Sequence, residues 1–220
     1  MAVAPLNKFL TIAVPVAPGE QKIYETPTGV SAIVLYAQVS NVGIGNTYPT
    51  VTFTHRRRSV ASRTSGNLRN NRIVKDIEVP PNDAVILIDG RLVLERTAVI
   101  SDSIIIEGNQ TGIVSVTDCT YDNNTGVTTV TTVTAHNFNV GDEVTMSGLG
   151  FTCSSESIGI TTNIFPAPQQ SFVVDEVPSS NIFVTNSGVV AGIAHTYVSG
   201  GEVAPLQMEF ICSILENSAN

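Results

Sequence analysis

Turn residues constrain this chain more tightly than any other feature. Pro15, Pro18-Gly19, Pro27-Thr28-Gly29, Gly43, Gly45, Pro80-Pro81-Asn82-Asp83 and Asp89-Gly90 cut its first half into short apolar-rich runs. Breakers at intervals of about 8 to 12 residues are the rhythm of a β-sandwich or barrel. No segment of ten or more residues carries a 3.6-residue apolar repeat, so an all-β fold is expected. Composition agrees: the 42% hydrophobic content is mostly Val and Ile, mixed with Thr, Ser, Asn and Gly, which favours strands joined by polar turns.

The runs predict strands over Phe9–Val14, Gln21–Glu25, Ser31–Asn41, Thr47–Arg56, Arg72–Val79, Ala84–Leu87, Arg91–Leu94 and Asp102–Glu107. Alternation is clean in Thr50–Thr54, and in Ile73, Ile77 and Val79 against Lys75, Asp76 and Glu78, so one face of those strands is wet. Ser31–Val39 is more continuously apolar and reads as central in its sheet.

Charge divides the chain. Residues 112–204 hold no Lys or Arg but eight acids: Asp118, Asp122, Asp142, Glu143, Glu156, Asp175, Glu176 and Glu202. Of 19 acids in the chain these eight leave 11, matched by all 11 basic residues. The net charge of -8 therefore belongs to one stretch, and such a break marks a module boundary. Beyond it, Leu206–Leu215 reads as one more strand, and a lone strand cannot hide its apolar side chains. It is expected to return to the first module. The expected fold class is all-β: a sandwich-like base domain (1–111 plus 205–220) with a second small β domain (112–204) inserted before its last strand, as exposed loops tolerate.

Within the insert, Gly112–Tyr121 and Val127–Ala135 flank Asp122-Asn-Asn-Thr-Gly126, whose residues suit the left-handed backbone of a hairpin loop. Strands are also expected at Ser171–Val174, Asn181–Thr185 and Gly192–Val198, with a long irregular excursion over Gly148–Gln170. In Ala135–Gly150, Gly141-Asp142 makes a tight turn with Phe138 and Val144 pointing into the core on either side, a fold signature that needs no ligand.

Catalytic chemistry finds little to work with. His55, His136 and His195 have no Ser or Cys partner in a G-x-S-x-G elbow, and no H-E-x-x-H occurs. His136 sits at a strand-to-turn junction where a structural hydrogen bond is the default. Cys119, Cys153 and Cys212 form no C-x-x-C pair and have no histidine at ligand spacing. Packing thiols of a reducing compartment are expected, with a Cys119–Cys153 bridge as the alternative. The absence of Trp argues against a sugar-binding cleft. The expectation is a non-enzyme with no cofactor and no metal. No run reaches the roughly 18 to 20 apolar residues of a membrane span, and Met1 is followed by no secretory pattern, so a soluble protein without an export signal is expected.

Seven of the 11 basic residues fall in one window: Arg56, Arg57, Arg58, Arg63, Arg69, Arg72 and Lys75. Clustered arginine suits phosphate, but interleaved aromatics for base stacking are missing and the chain is acidic. Nucleic acid is therefore the weaker reading. The stronger is a polar loop, Ser59–Asn71, held against the acidic surface of a neighbouring subunit, with these seven residues as the protein interface.

Three strings carry a resemblance: His136-Asn-Phe-Asn-Val-Gly-Asp142, Gly148-Leu-Gly-Phe-Thr-Cys153 and His195-Thr-Tyr-Val-Ser-Gly-Gly201. Together they resemble a small β module recurring in tail fibres and other structural proteins of tailed phages of marine cyanobacteria. The flanks are similar to a second piece in the same phages, through Ile12–Glu20, Val34–Asn41, Lys75–Asp83 and Ser213–Asn217. The resemblance implies a virion structural protein whose partners are copies of itself and other virion proteins, with the base docked on the particle and the insert projecting. This chain lacks the long repetitive stalk of a fibre, which points to an accessory tail component at the baseplate or neck. The alternatives are a capsid decoration protein, or a host-surface adhesin contacting a receptor or glycan through Gly148–Gln170.

Overall fold

The structure, a computed structural model, describes residues 7–59, 68–155, 159–164, 169–189 and 194–218, with backbone alone for 153–155 and 159–164. The chain divides into two compact units: residues 1–16, 20–109 and 207–220 form one, and 17–19 with 110–206 form the other. Every regular element among the described residues is a strand.

The first unit is a sandwich of two four-stranded antiparallel sheets. Sheet one runs β1 (Asn7–Pro15), β17 (Met208–Ser218), β3 (Val30–Asn41), β6 (Ala84–Glu95). Sheet two runs β2 (Gly19–Glu25), β7 (Ile100–Asn109), β4 (Thr50–Ser59), β5 (Leu68–Glu78). Period-2 alternation turns one face of each sheet inward. Ala32, Val34, Ala37, Val39, Phe210, Cys212 and Ile214 from sheet one meet Val51, Phe53, Ile104 and Ile106 from sheet two in one core. Phe53 stacks on Phe210 across it, ring centroids 5.8 Å apart. As expected, the strand after the insert returns to the base. It becomes an inner strand, held by β1 on one side and β3 on the other.

Two local expectations need correction. Asp89-Gly90 is not a hairpin turn: Ala84–Leu87 and Arg91–Leu94 belong to one strand, β6. Pairing passes from Val34↔Leu92 to Tyr36↔Asp89, so one extra residue is absorbed as a bulge at Gly90, whose φ of 154° needs a residue without Cβ. In the insert, the Gly148–Gln170 excursion contains two paired strands, β11 (Gly150–Ser155) and β12 (Gly159–Ile164).

The second unit is a closed six-stranded barrel. Around it run β10 (Glu143–Ser147), β13 (Ser171–Ser179), β14 (Ile182–Asn186), β9 (Val127–Thr132), β8 (Val114–Tyr121) and β16 (Glu202–Pro205). Closure leaves these strands no free edge. A three-stranded sheet, β12-β11-β15 (Ala194–Ser199), completes the unit. Its core gathers Val116, Val130, Val144, Phe151, Phe172, Val174 and Phe183. Gly141 takes φ 92° in the tight turn, and Phe138 and Val144 are buried on either side of it. His136 is structural here: Nδ1 accepts from the Phe138 amide (3.0 Å) while its ring stacks on Phe138 and meets Phe183 edge-on. Cys119 and Cys212 are buried free thiols, and the side chain of Cys153, the other end of the alternative bridge, lies outside the described residues.

Candidate interaction surface

Six of the seven predicted interface residues lie on β4 and β5, and the structure sorts them into two kinds. Both strands run further than their polar sequence suggests. Leu68–Asn71 is strand rather than loop, because Arg56, Arg57 and Arg58 pair with Asn70, Arg69 and Leu68. Ladder hydrogen bonds there override weak intrinsic propensity.

Arg56 and Arg57 are committed inside the unit. Arg56 grips Glu20 through two bonds, Nη1 to Oε1 (2.6 Å) and Nη2 to Oε2 (2.5 Å), and donates from Nε to Asn70 Oδ1. Arg57 donates from Nε and Nη2 to the two oxygens of Asp102 (2.7 and 2.6 Å) and lies 3.5 Å from Glu95. The Asp102 side chain is wholly buried. It also accepts from the Glu95 amide (3.0 Å), with His55 Nε2 at 3.3 Å. Burial pushes the Asp102 carboxyl up, but the Arg57 and Glu95 bonds and the neighbouring His55 and Arg57 charges outweigh it and hold it below the usual range. Glu20 is likewise lowered by its Arg56 bond.

Arg58, Arg69 and Arg72 are exposed and have no carboxylate partner among the described residues. Residues directly opposite one another share a face. Arg58 and Arg72 therefore lie with Arg56 on the outer face of sheet two, and Arg69 lies beside Arg57. Among the described residues Lys75 pairs with its exposed neighbour Asp76 (3.4 Å). Arg63 lies outside the described residues.

As the edge of its sheet, β5 is blunted twice. Pairing steps from Val51↔Ile77 to Phe53↔Val74 and then to Thr54↔Arg72, one extra β5 residue each time. Asp76, at φ 50°, is held in the first bulge by Thr52, whose Oγ1 accepts from the Asp76 amide and donates to its carboxylate. Bulges and charges at an edge discourage strand addition. What this surface offers a partner is arginine side chains.

The second unit offers the opposite charge. Asp118, Asp122, Glu143, Asp175, Glu176 and Glu202 are all exposed. Sequence reasoning located the basic window but could not separate structural from free arginines, since Glu20 and Asp102 lie 36 and 45 residues from their partners.

No family model and no curated protein matches the chain. Solved structures overlap it weakly. A chain of infectious bursal disease virus, Gt strain, is similar at 10% identity and TM-score 0.29, covering 99% of this chain and 43% of its own. The tandem CBM22 domains of Paenibacillus barcinonensis Xyn10C follow at 8% identity and TM-score 0.24, covering 98% and 92%. The stem and receptor binding domain of spike protein P1 from bacteriophage PM2 follows at 7% and 0.22, covering 99% of both chains. This chain spans less than half the length of the first of these. Overlaps at this level carry no argument about function.

Proposed function

We propose that this chain is a virion structural protein, an accessory component of a phage tail at the baseplate or neck, assembling with copies of itself and other virion proteins. The phage-like strings around His136, Gly148 and His195 support membership of a particle. An insert whose two ends both join the sandwich suits an accessory module carried by a docked base. Division of the arginines carries the assembly reading: Arg56 and Arg57 are engaged by carboxylates within the unit, whereas Arg58, Arg69 and Arg72 stand exposed on the same hairpin. Their counterpart is an acidic surface on a neighbouring subunit, of the kind that the Lys- and Arg-free stretch 112–204 presents. Complementary charge would set register and encounter rate between subunits.

Mass spectrometry of purified particles separated into heads and tails tests this directly. Recovery with tails is expected. Recovery with heads would make the protein a capsid decoration, and absence from particles would overturn the virion reading. Because Arg56 and Arg57 serve the fold, the informative variant is Arg58→Glu, Arg69→Glu, Arg72→Glu, which should fold normally yet incorporate poorly.

A further inference from the structure

The outer face of sheet one differs from that of sheet two. Register places four side chains in a row across it, one per strand: Phe9, Leu215, Ile33 and Val93. The next outward row is Thr11, Ser213, Tyr36 and Asp89; the next is Ala13, Ile211, Gln38 and Ile86; the last is Pro15, Glu209, Ser40 and Ala84. The first row is wholly apolar, with Phe9 73% and Val93 51% exposed, and Ile86 in the third is 54% exposed. These four rows hold two acids, Asp89 and Glu209, and Arg91 stands exposed in the β6 bulge between Val93 and Asp89. The wet face of an antiparallel sheet is ordinarily polar, and an exposed apolar row across all four strands, with further exposed apolar residues at Ile211 and Ile86, marks a contact surface.

We infer that this face pairs with the same face of a second copy about a two-fold axis parallel to the strands. That operation lays β1 over the partner's β6 and β17 over its β3, keeping each row opposite itself. Phe9 then meets Val93 of the other copy, and Leu215 meets Ile33. Both acids are placed opposite hydroxyl groups, Asp89 over Thr11 and Glu209 over Ser40, so no carboxylate faces another. The polar side chains of β3 already bond one another: Tyr36 Oη donates to Gln38 Oε1, and Gln38 Nε2 to Ser40 Oγ (3.0 Å). Covering them therefore strands few groups.

Size is adequate. With the further row Asn7, Asn217, Ser31 and Glu95 beyond Phe9, nine residues along β1 and four strands across give a flat footprint of roughly 30 by 19 Å per copy. Two such footprints total about 1,100 Å² before side-chain relief is added, close to the roughly 1,200 Å² at which stable interfaces begin. Aligned packing of twisted sheets about 10 Å apart is the ordinary way to bury such faces.

This inference rests on the self-assembly part of the proposed function but does not require a tail location. Sedimentation of the full chain over a concentration series tests it. A concentration-dependent dimer in the micromolar range is expected. Phe9→Glu should weaken it at least tenfold with the thermal midpoint unchanged, and Val93→Glu on the opposite edge should do the same. Thr11→Lys should tighten the dimer by reaching Asp89 of the partner, a gain abolished by Asp89→Asn. A wild-type monomer throughout, a dimer indifferent to Phe9→Glu and Val93→Glu, or no tightening by Thr11→Lys would each overturn the pairing. Failure here and failure in the particle experiment are separable: a monomer recovered with tails removes the dimer only, while a dimer absent from particles removes the virion reading only.

Discussion

Arg57 clasps Asp102 with two parallel hydrogen bonds while the carboxylate it holds sees no solvent. Removing the arginine would leave a buried negative charge with only the Glu95 amide and His55 beside it. Breaking a buried pair from one side costs roughly 3–5 kcal/mol, and the 38% exposure of Arg57 places this case at or below the low end. Arg57→Ala should therefore lower the urea midpoint of the first unit markedly. Arg58→Ala, one residue along, should leave it within about 0.5 kcal/mol of wild type.

Acid should weaken the same unit. Asp102, Glu20 and Glu25 are all held below their ordinary values. The stability they provide is complete above the range where unfolded carboxylates titrate, about pH 3.9–4.3. It is lost as pH falls through the depressed native values. Denaturation midpoints measured from pH 6 down to pH 3 should fall most steeply below about pH 4, and Asp102→Asn should flatten that fall. Most of the slope belongs to Asp102, since Glu20 and Glu25 are partly exposed and screened.

Much of the fold was legible because its signals are local. Turn residues and two-residue alternation announce an all-β chain, and the apolar Leu206–Leu215 needed a sheet to join, which it found between β1 and β3. Bulges were not legible. Asp89-Gly90 has the composition of a hairpin turn, and only the paired β3 strand shows that it is an irregularity within β6. The basic window could be located but its roles could not, since which arginine meets Asp102 depends on register between β4 and β7. The outward row through Phe9 did leave a trace, as Phe9, Thr11 and Ala13 alternate with the inward Leu10, Ile12 and Val14. Which parity faces out becomes known only once β17 is in place.

The two described thiols report on the two units separately. Burial pushes both Cys119 and Cys212 up to about 12, helped at Cys119 by the Asp118 charge and slightly offset at Cys212 by the Ile12 backbone. Thiolate is the reactive form, so neither should be modified by a thiol reagent at pH 8 in the native protein. Labelling followed by peptide mapping across a urea series should show when each position opens. Distinct midpoints for Cys119 and Cys212 would mean that the units unfold independently.

Gly126 closes the β8–β9 hairpin at φ 79°, with its amide donating to the Asp122 carbonyl (2.8 Å). A Cβ there would come within 2.6 Å of Asn186 Oδ1 and 2.7 Å of the Gly188 carbonyl carbon. Gly126→Ala should cost clearly more than the roughly 1–2 kcal/mol of left-handed strain alone. Gly141→Ala, at φ 92° in open space, should cost only about that strain. Thermal unfolding of the two variants side by side measures the difference.

The place of β17 gives synthesis an order. All six barrel strands lie between Val114 and Pro205, so that unit has everything it needs once Leu206 has left the ribosome. Sheet one does not, because β1 has only β17 to pair with, about 200 residues downstream. Until β17 emerges, Leu10, Ile12 and Val14 have no neighbouring strand, and the nascent base is an open sandwich. A contact surface that spans β1, β17, β3 and β6 cannot exist before that moment. Partner binding through the proposed surface would thereby be withheld from nascent chains that still lack β17.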